Sequence, residues 1–113
     1  MKIVRESISV DELQEMAATN FSSLVKAVVD IERELLAVYS ELHSDLEGML
    51  LEDGSKQLHL WGINLYPAKQ GADFIEYDSM INVRPSHNNF SRGVDSEAIR
   101  GKIIAVVEKR VAR

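Results

Sequence analysis

Between Leu58 and Val94 apolar and polar residues alternate with period two, first through Trp61, Ile63 and Leu65 and again through Ile75, Tyr77, Ile81 and Val83. Successive side chains of a strand point to opposite sides of its sheet, so Asn64 and Tyr66 fall with Glu76, Asp78, Asn82 and Arg84 on a second, polar face. The segment Pro67 to Asp73, with a proline at its start and Gly71 inside, suits the loop of an antiparallel hairpin. One face of this hairpin is expected to be core and the other a polar field.

Upstream, Ser9 and Glu12 form an S-x-x-E capping pattern, which predicts a helix from Val10 with Leu13, Met16, Ala17 and Phe21 on its buried stripe. Residues 24–42 carry two patterns. Val25, Ala27, Val29 and Ile31 alternate as in a strand, whereas Val28, Leu35, Leu42 and Met49 recur every seven residues as in a long helix. A second capping pattern, Ser44 with Glu47, precedes a predicted helix from Asp45 to about Asp53, with Gly54 as a left-handed C-cap. A fresh cap has little use inside a long helix. It favours a hairpin, with strands near 24–31 and 35–42 and a turn at Glu32 to Glu34 that lacks the usual glycine or asparagine. Asp95 is placed to cap a last helix from Ser96 to about Ala112, with Ile99, Ile103, Val106, Val107 and Val111 as its apolar stripe.

The expected order is α-ββ-α-ββ-α: a single α+β domain over residues 1–113, with a mainly antiparallel four-stranded sheet and helices on one face. A chain of 113 residues can bury about two thirds of the surface that its unfolded form exposes. The absence of cysteine removes disulfides, thiolate metal sites and a cysteine nucleophile, and suits a reducing, cytoplasmic setting. A formal charge of −5 argues for solubility and against a generally basic surface for duplex nucleic acid. No stretch approaches the ~18 consecutive apolar residues of a membrane span, and the first residues lack the apolar core of a secretory signal.

The strings ELHSDLE (41–47), LLEDGSKQ (50–57), LWGINLYP (60–67) and FIEYDSMINVRP (74–85), followed by Asn89, Ser91, Arg92, Asp95, Ile99 and Arg100, together resemble a family of short prokaryotic proteins catalogued only as a domain of unknown function. The resemblance runs nearly the whole length and implies a kind of protein rather than an activity. Members of that family often have glycine where this chain has Glu34 and an acidic residue where it has His59. The first departure makes the hairpin turn less ideal, and the second weakens any chemical role for His59.

Three functional readings follow. The first is a small binding or interaction module whose polar sheet face, with Asn64, Glu76, Asp78, Asn82, Arg84, Ser91 and Arg92, receives an anionic small ligand or a protein partner. Arginine forks and the donors of RPSHNNFSRG, directly before a helix N-terminus, suit phosphate or carboxylate. Asp95 and Glu97 oppose an anion there, and the bland alternative is that Arg84 and Arg92 pair with Glu76 and Asp78. The second reading is a metal-dependent hydrolase or nuclease using Glu76 and Asp78, with His43 as a further candidate. The E-x-K signature is missing, however, because Asp78 stands where its lysine would be, and no G-x-S-x-G, H-E-x-x-H or phosphate-loop motif is present. Glu41, His43, Asp45 and Glu47 offer metal-ligand chemistry, but alternate residues share a face only when extended; on a helix Asp45 and Glu47 lie about 200° apart. No metal or other cofactor is therefore assigned. The third reading is a structural subunit that forms a homodimer through a strand edge or the terminal helix.

Overall fold

A computed structural model describes all residues, 1–113. Its main sheet has five strands in the order β1-β4-β3-β5-β6: β1 (Lys2–Val4), β3 (Val25–Asp30), β4 (Leu35–Val38), β5 (Leu60–Leu65) and β6 (Ile75–Glu76). Every neighbouring pair in it is antiparallel. A small parallel pair, β2 (Ile8–Ser9) with β7 (Val111–Ala112), ties the two ends of the chain together. The helices are α1 (Val10–Thr19), α2 (His43–Glu52) and α3 (Glu97–Arg110). The α+β class and the antiparallel pairing are as the sequence led us to expect.

The strand count and the one-sided placement of helices need correction. Lys2–Val4 pairs with β4 as a fifth strand, a segment too short to show alternation. Leu13 and Ala17 of α1 and Ile103, Val106 and Val107 of α3 pack with Val25, Ala27, Val29, Leu36, Val38, Trp61, Ile63 and Leu65. The opposite parity of the same strands, Val28, Leu35, Ala37 and Leu60, packs with Leu46 and Leu50 of α2. The sheet is thus covered on both faces, which is why β3, β4 and β5 read as almost continuous apolar runs rather than as clean alternation.

Residues 24–42 form the hairpin, not a helix. Its turn works without glycine because buried Asp30 accepts the N–H groups of Glu32 and Arg33 at Oδ1, each at 2.9 Å. Glu34 takes the left-handed conformation, with φ 55°, which glycine adopts at the least cost. Helix α1 starts as expected, with Ser9 Oγ accepting from the Glu12 N–H at 3.0 Å. It ends at Thr19, so Phe21 lies beyond the buried stripe and is fully exposed.

Helix α2 begins at His43, two residues before the expected start, with Ser44 inside its first turn and no side-chain cap. Its C-terminus is a paired closure: Ser55 N–H reaches Leu50 C=O at 3.0 Å and Gly54 N–H reaches Leu51 C=O at 3.1 Å, around a Gly54 φ of 104°. Helix α3 is capped by Ser96, whose Oγ accepts from Ile99 N–H at 3.2 Å, and not by Asp95.

The largest departure is in the central hairpin, where β6 spans only Ile75–Glu76 before the chain leaves the ladder. A short turn at Met80–Asn82 breaks the expected parity: Tyr77 packs on the α1/α3 side while Ile81 packs on the α2 side, and Val83 is exposed. The side-chain amide of Asn82 replaces the lost strand. Its Oδ1 accepts from Gly62 N–H at 2.8 Å and its Nδ2 donates to Gly62 C=O at 2.9 Å, as a paired backbone residue would.

Candidate functional site

The polar side chains near the end of β5 converge where β6 leaves the sheet. Asn64 is cross-strand partner to Lys26 on one side and Glu76 on the other. Although 95 % buried by its 5 % exposure, it donates from Nδ2 to Glu76 Oε1 at 2.8 Å and to the Asp78 carbonyl at 3.4 Å, while its Oδ1 has no partner. Tyr66 donates its hydroxyl to the same Glu76 Oε1 at 3.1 Å. Partial burial and this bond raise the phenol's pKa above 10.0 and keep it a donor. Arg92 closes the group, with its Nε donating to Asp78 Oδ1 at 2.7 Å.

His43, the first residue of α2, points its ring at the back of this cluster, with Nε2 2.8 Å from the Ile63 carbonyl. A carbonyl only accepts, so Nε2 carries the proton. Burial pushes the imidazole below its ordinary 6.5 and Lys26 adds to that, against the Ile63 bond and the Asp78 charge, which act upward. The folded protein therefore holds His43 neutral where the unfolded chain would already bind a proton. This contribution to stability is fully present above about pH 6.5 and is lost as pH falls from there toward the depressed folded-state value. Denaturation midpoints measured against pH are expected to decline in that range for the wild type and to decline less for His43→Gln.

Of the residues assigned to the site from sequence, Asn64, Glu76, Asp78 and Arg92 are brought together, whereas Asn82, Arg84 and Ser91 serve the scaffold. Arg84 forms no ion pair with an acidic neighbour, contrary to expectation. Its guanidinium is buried, donating to the carbonyls of Ile81 at 2.9 Å, Gln57 at 2.8 Å and Leu60, and it lies 4.4 Å from the Trp61 ring centroid. The cause is the turn at Met80–Asn82, which redirects the chain so that Arg84 satisfies the Leu60 carbonyl at the start of β5 and the Gln57 and Ile81 carbonyls in two neighbouring turns. Arg84→Ala is expected to cost about 1 to 3 kcal/mol in denaturant melts, the range for leaving buried polar groups unpaired.

Ser91 is held by Asp95, donating its hydroxyl to Oδ1, while Phe90 N–H donates to Oδ2 at 2.8 Å. These bonds, Ser91 first, hold the Asp95 carboxyl below its usual range. An internal carboxylate thus occupies the place that the sequence offered to an external anion beside Ser91. Asn89 fixes the rest of the loop, donating to the carbonyls of Asn82, Ser91 and Gly93 and accepting from Asp95 N–H at 2.8 Å.

Glu41, His43, Asp45 and Glu47 do not converge: no group of three or more His, Asp or Glu side chains is arranged to hold a metal ion, around Glu76 and Asp78 or elsewhere. Lys26 was missed in the sequence reading. Its signal was a lone cation in an otherwise apolar strand run, VKAVV, but only the register shows that it faces Asn64.

Fold and cluster together define a small α+β domain with a polar group of side chains at the end of its sheet. The chain belongs to the family described as protein of unknown function (DUF5674), whose model matches residues 2–110. Neither a curated protein nor a solved structure matches it. No helix is long and apolar enough to cross a membrane.

Proposed function

We propose that the chain is a small binding module, working in a prokaryotic cytoplasm, that takes an anionic ligand or partner at the polar end of its sheet. One observation carries this reading. Arg92, with its side chain 56 % exposed, spends only Nε on Asp78, so both outer nitrogens remain available for a carboxylate or phosphate fork. Asp78 acts as the orienting group for that guanidinium. Glu76 opposes an anion less than its charge suggests, because Asn64 and Tyr66 both donate to its Oε1. Lys26, which is in no ion pair, adds positive charge beside Asn64. A chain without cysteine suits a reducing compartment.

Thermal melts with inorganic phosphate, nucleotides, dicarboxylates and short oligonucleotides test the reading. A ligand at 100 times its Kd stabilises by about 2.7 kcal/mol, a readily measured shift. Arg92→Gln is expected to abolish the shift while leaving the ligand-free midpoint nearly unchanged, since exposed ion pairs contribute little. If none of these probes stabilises the wild type, the anion reading is wrong.

A further inference from the structure

Asn64 makes a hydrogen-bonding demand that the chain does not meet. Its Oδ1 is buried without a donor, while Nδ2 is spent on Glu76 Oε1 at 2.8 Å and on the Asp78 carbonyl at 3.4 Å. Those two bonds fix the amide, because turning it over would set Oδ1 against two acceptors. A buried acceptor left bare is costly, so a donor from outside the chain is favoured at this point.

The neighbouring side chains do not supply that donor. The His43 ring is close enough to Asn64 to be influenced by it, but the neutral ring has a single N–H, and the Ile63 carbonyl takes it at 2.8 Å. The ammonium of Lys26, the cross-strand neighbour of Asn64, does not reach Oδ1 either. Lys26 is only partly buried and is in no ion pair, so its chain is free to shift for a ligand.

The rest of the cluster has the same bias. Glu76 is bonded only through Oε1 and Asp78 only through Oδ1, so each carboxylate keeps an oxygen without a donor, beside the free outer nitrogens of Arg92. Arg92 and Lys26 thus offer positive charge, while Asn64, Glu76 and Asp78 offer acceptors. A fully ionised anion brings lone pairs to both sets and is repelled by the second. An anion that has kept a proton meets the cations with its bare oxygens and gives its O–H to an acceptor.

We propose that the polar end of the sheet selects an oxyanion that keeps a proton, hydrogen phosphate, whose bare oxygens face Arg92 and Lys26 and whose O–H donates to Asn64 Oδ1. This rests on the reading of Arg92 as the anion contact and adds which anions that contact admits.

Titration calorimetry at about pH 8, above the range in which His43 takes up a proton, compares sodium phosphate with sodium sulfate at equal ionic strength. Both are tetrahedral dianions there, but only phosphate carries a hydrogen. Phosphate is expected to bind at least about tenfold tighter than sulfate, since a site built around a ligand's O–H rejects the analogue that lacks it. Arsenate, which also keeps a proton, is expected to follow phosphate. Methyl phosphate, whose last proton is lost below that pH, is expected to follow sulfate, which separates the free ion from a phosphate monoester. Asn64→Ala is expected to remove most of the preference. Glu76→Gln gives a second readout should Asn64→Ala fold poorly: the exposed glutamine keeps one acceptor for Asn64 and Tyr66, replaces the other oxygen with a donor, and is expected to strengthen sulfate more than phosphate. Phosphate bound no tighter than sulfate, arsenate bound like sulfate, methyl phosphate bound like phosphate, or a preference that survives both substitutions overturns the proposal and leaves Arg92 as an anion contact. Binding of none of these anions overturns both.

Discussion

Trp61→Ala is expected to destabilise the fold by about 3 to 5 kcal/mol, the cost of deleting a large aromatic side chain from a core that cannot fully collapse. The indole is 2 % exposed and belongs to the larger core beneath α1 and α3. It also carries the Arg84 guanidinium on its face, 4.4 Å from the ring centroid, a contact with an attractive term that strengthens when the pair is desolvated. The truncation therefore leaves a cavity and loosens the group that satisfies the Gln57, Leu60 and Ile81 carbonyls. The indole N–H has no partner, so Trp61→Phe loses less: it removes an unpaired donor along with the extra ring volume. Trp61 is the sole tryptophan, so circular dichroism rather than fluorescence must follow the denaturant melts of both variants. A loss below about 1 kcal/mol in Trp61→Ala would mean that the ring is not the core element described above.

Trp61 was legible because its parity with Ile63 and Leu65 extends over a whole strand, and the Ser9 start of α1 because a cap is a local device that needs only a few residues. The side of the sheet taken by α2 was not legible. Strands buried on both faces lose the alternation that would show which residues point where, as Val28 and Val29 illustrate by packing on opposite faces. The end of β6 was hidden for a different reason. Ile81 and Val83 continue the parity of Ile75 and Tyr77, and nothing local distinguishes a strand from an irregular segment stitched to Gly62 by the side-chain amide of its own Asn82.

The same break decides how much of the site could be read. Asn64 and Glu76 are paired in the ladder, so strand parity placed them together correctly, and Asp78, two residues past its end, still falls beside Asn64. Asn82 and Arg84 lie beyond it, and there parity no longer predicts direction: one side chain became a surrogate strand and the other a bracket for three carbonyls. Arg92 returns to the cluster only through the loop that Asn89 organises. That return depends on hydrogen bonds to three carbonyls, which no spacing in the sequence encodes.

Asn82→Ala is expected to cost about 3 to 5 kcal/mol, because two buried backbone groups lose their partner at once and a third loses one of two, and each buried group left unpaired costs about 1 to 3 kcal/mol. The first two are the N–H and C=O of Gly62; the third is the carbonyl of Arg92, 2.9 Å from Asn82 Nδ2, which also accepts from Ser79 N–H at 2.9 Å. Asn82 itself is fully buried, so water cannot take over without opening the loop. Asn82→Asp separates hydrogen bonding from packing: it keeps the shape and one acceptor for Gly62 N–H, but it cannot donate to either carbonyl when ionised and brings a charge into a buried place. Both variants are expected to destabilise strongly; an aspartate melting like wild type would show that the amide does not replace a strand. The partner position gives an independent check. A Cβ on Gly62 would lie 2.5 Å from Ser79 Cβ and 2.6 Å from its Oγ, far inside contact distance and against a side chain too short to swing away. Gly62→Ala must therefore push the Met80–Asn82 turn off the sheet and lengthen both amide bonds, and it is expected to lose at least 1 to 3 kcal/mol, roughly the range for overpacked sites. Because Gly62 and Asn82 act on one contact, combining Gly62→Ala with Asn82→Ala should cost clearly less than the sum of the two, and strict additivity in the double-mutant cycle would refute the pairing.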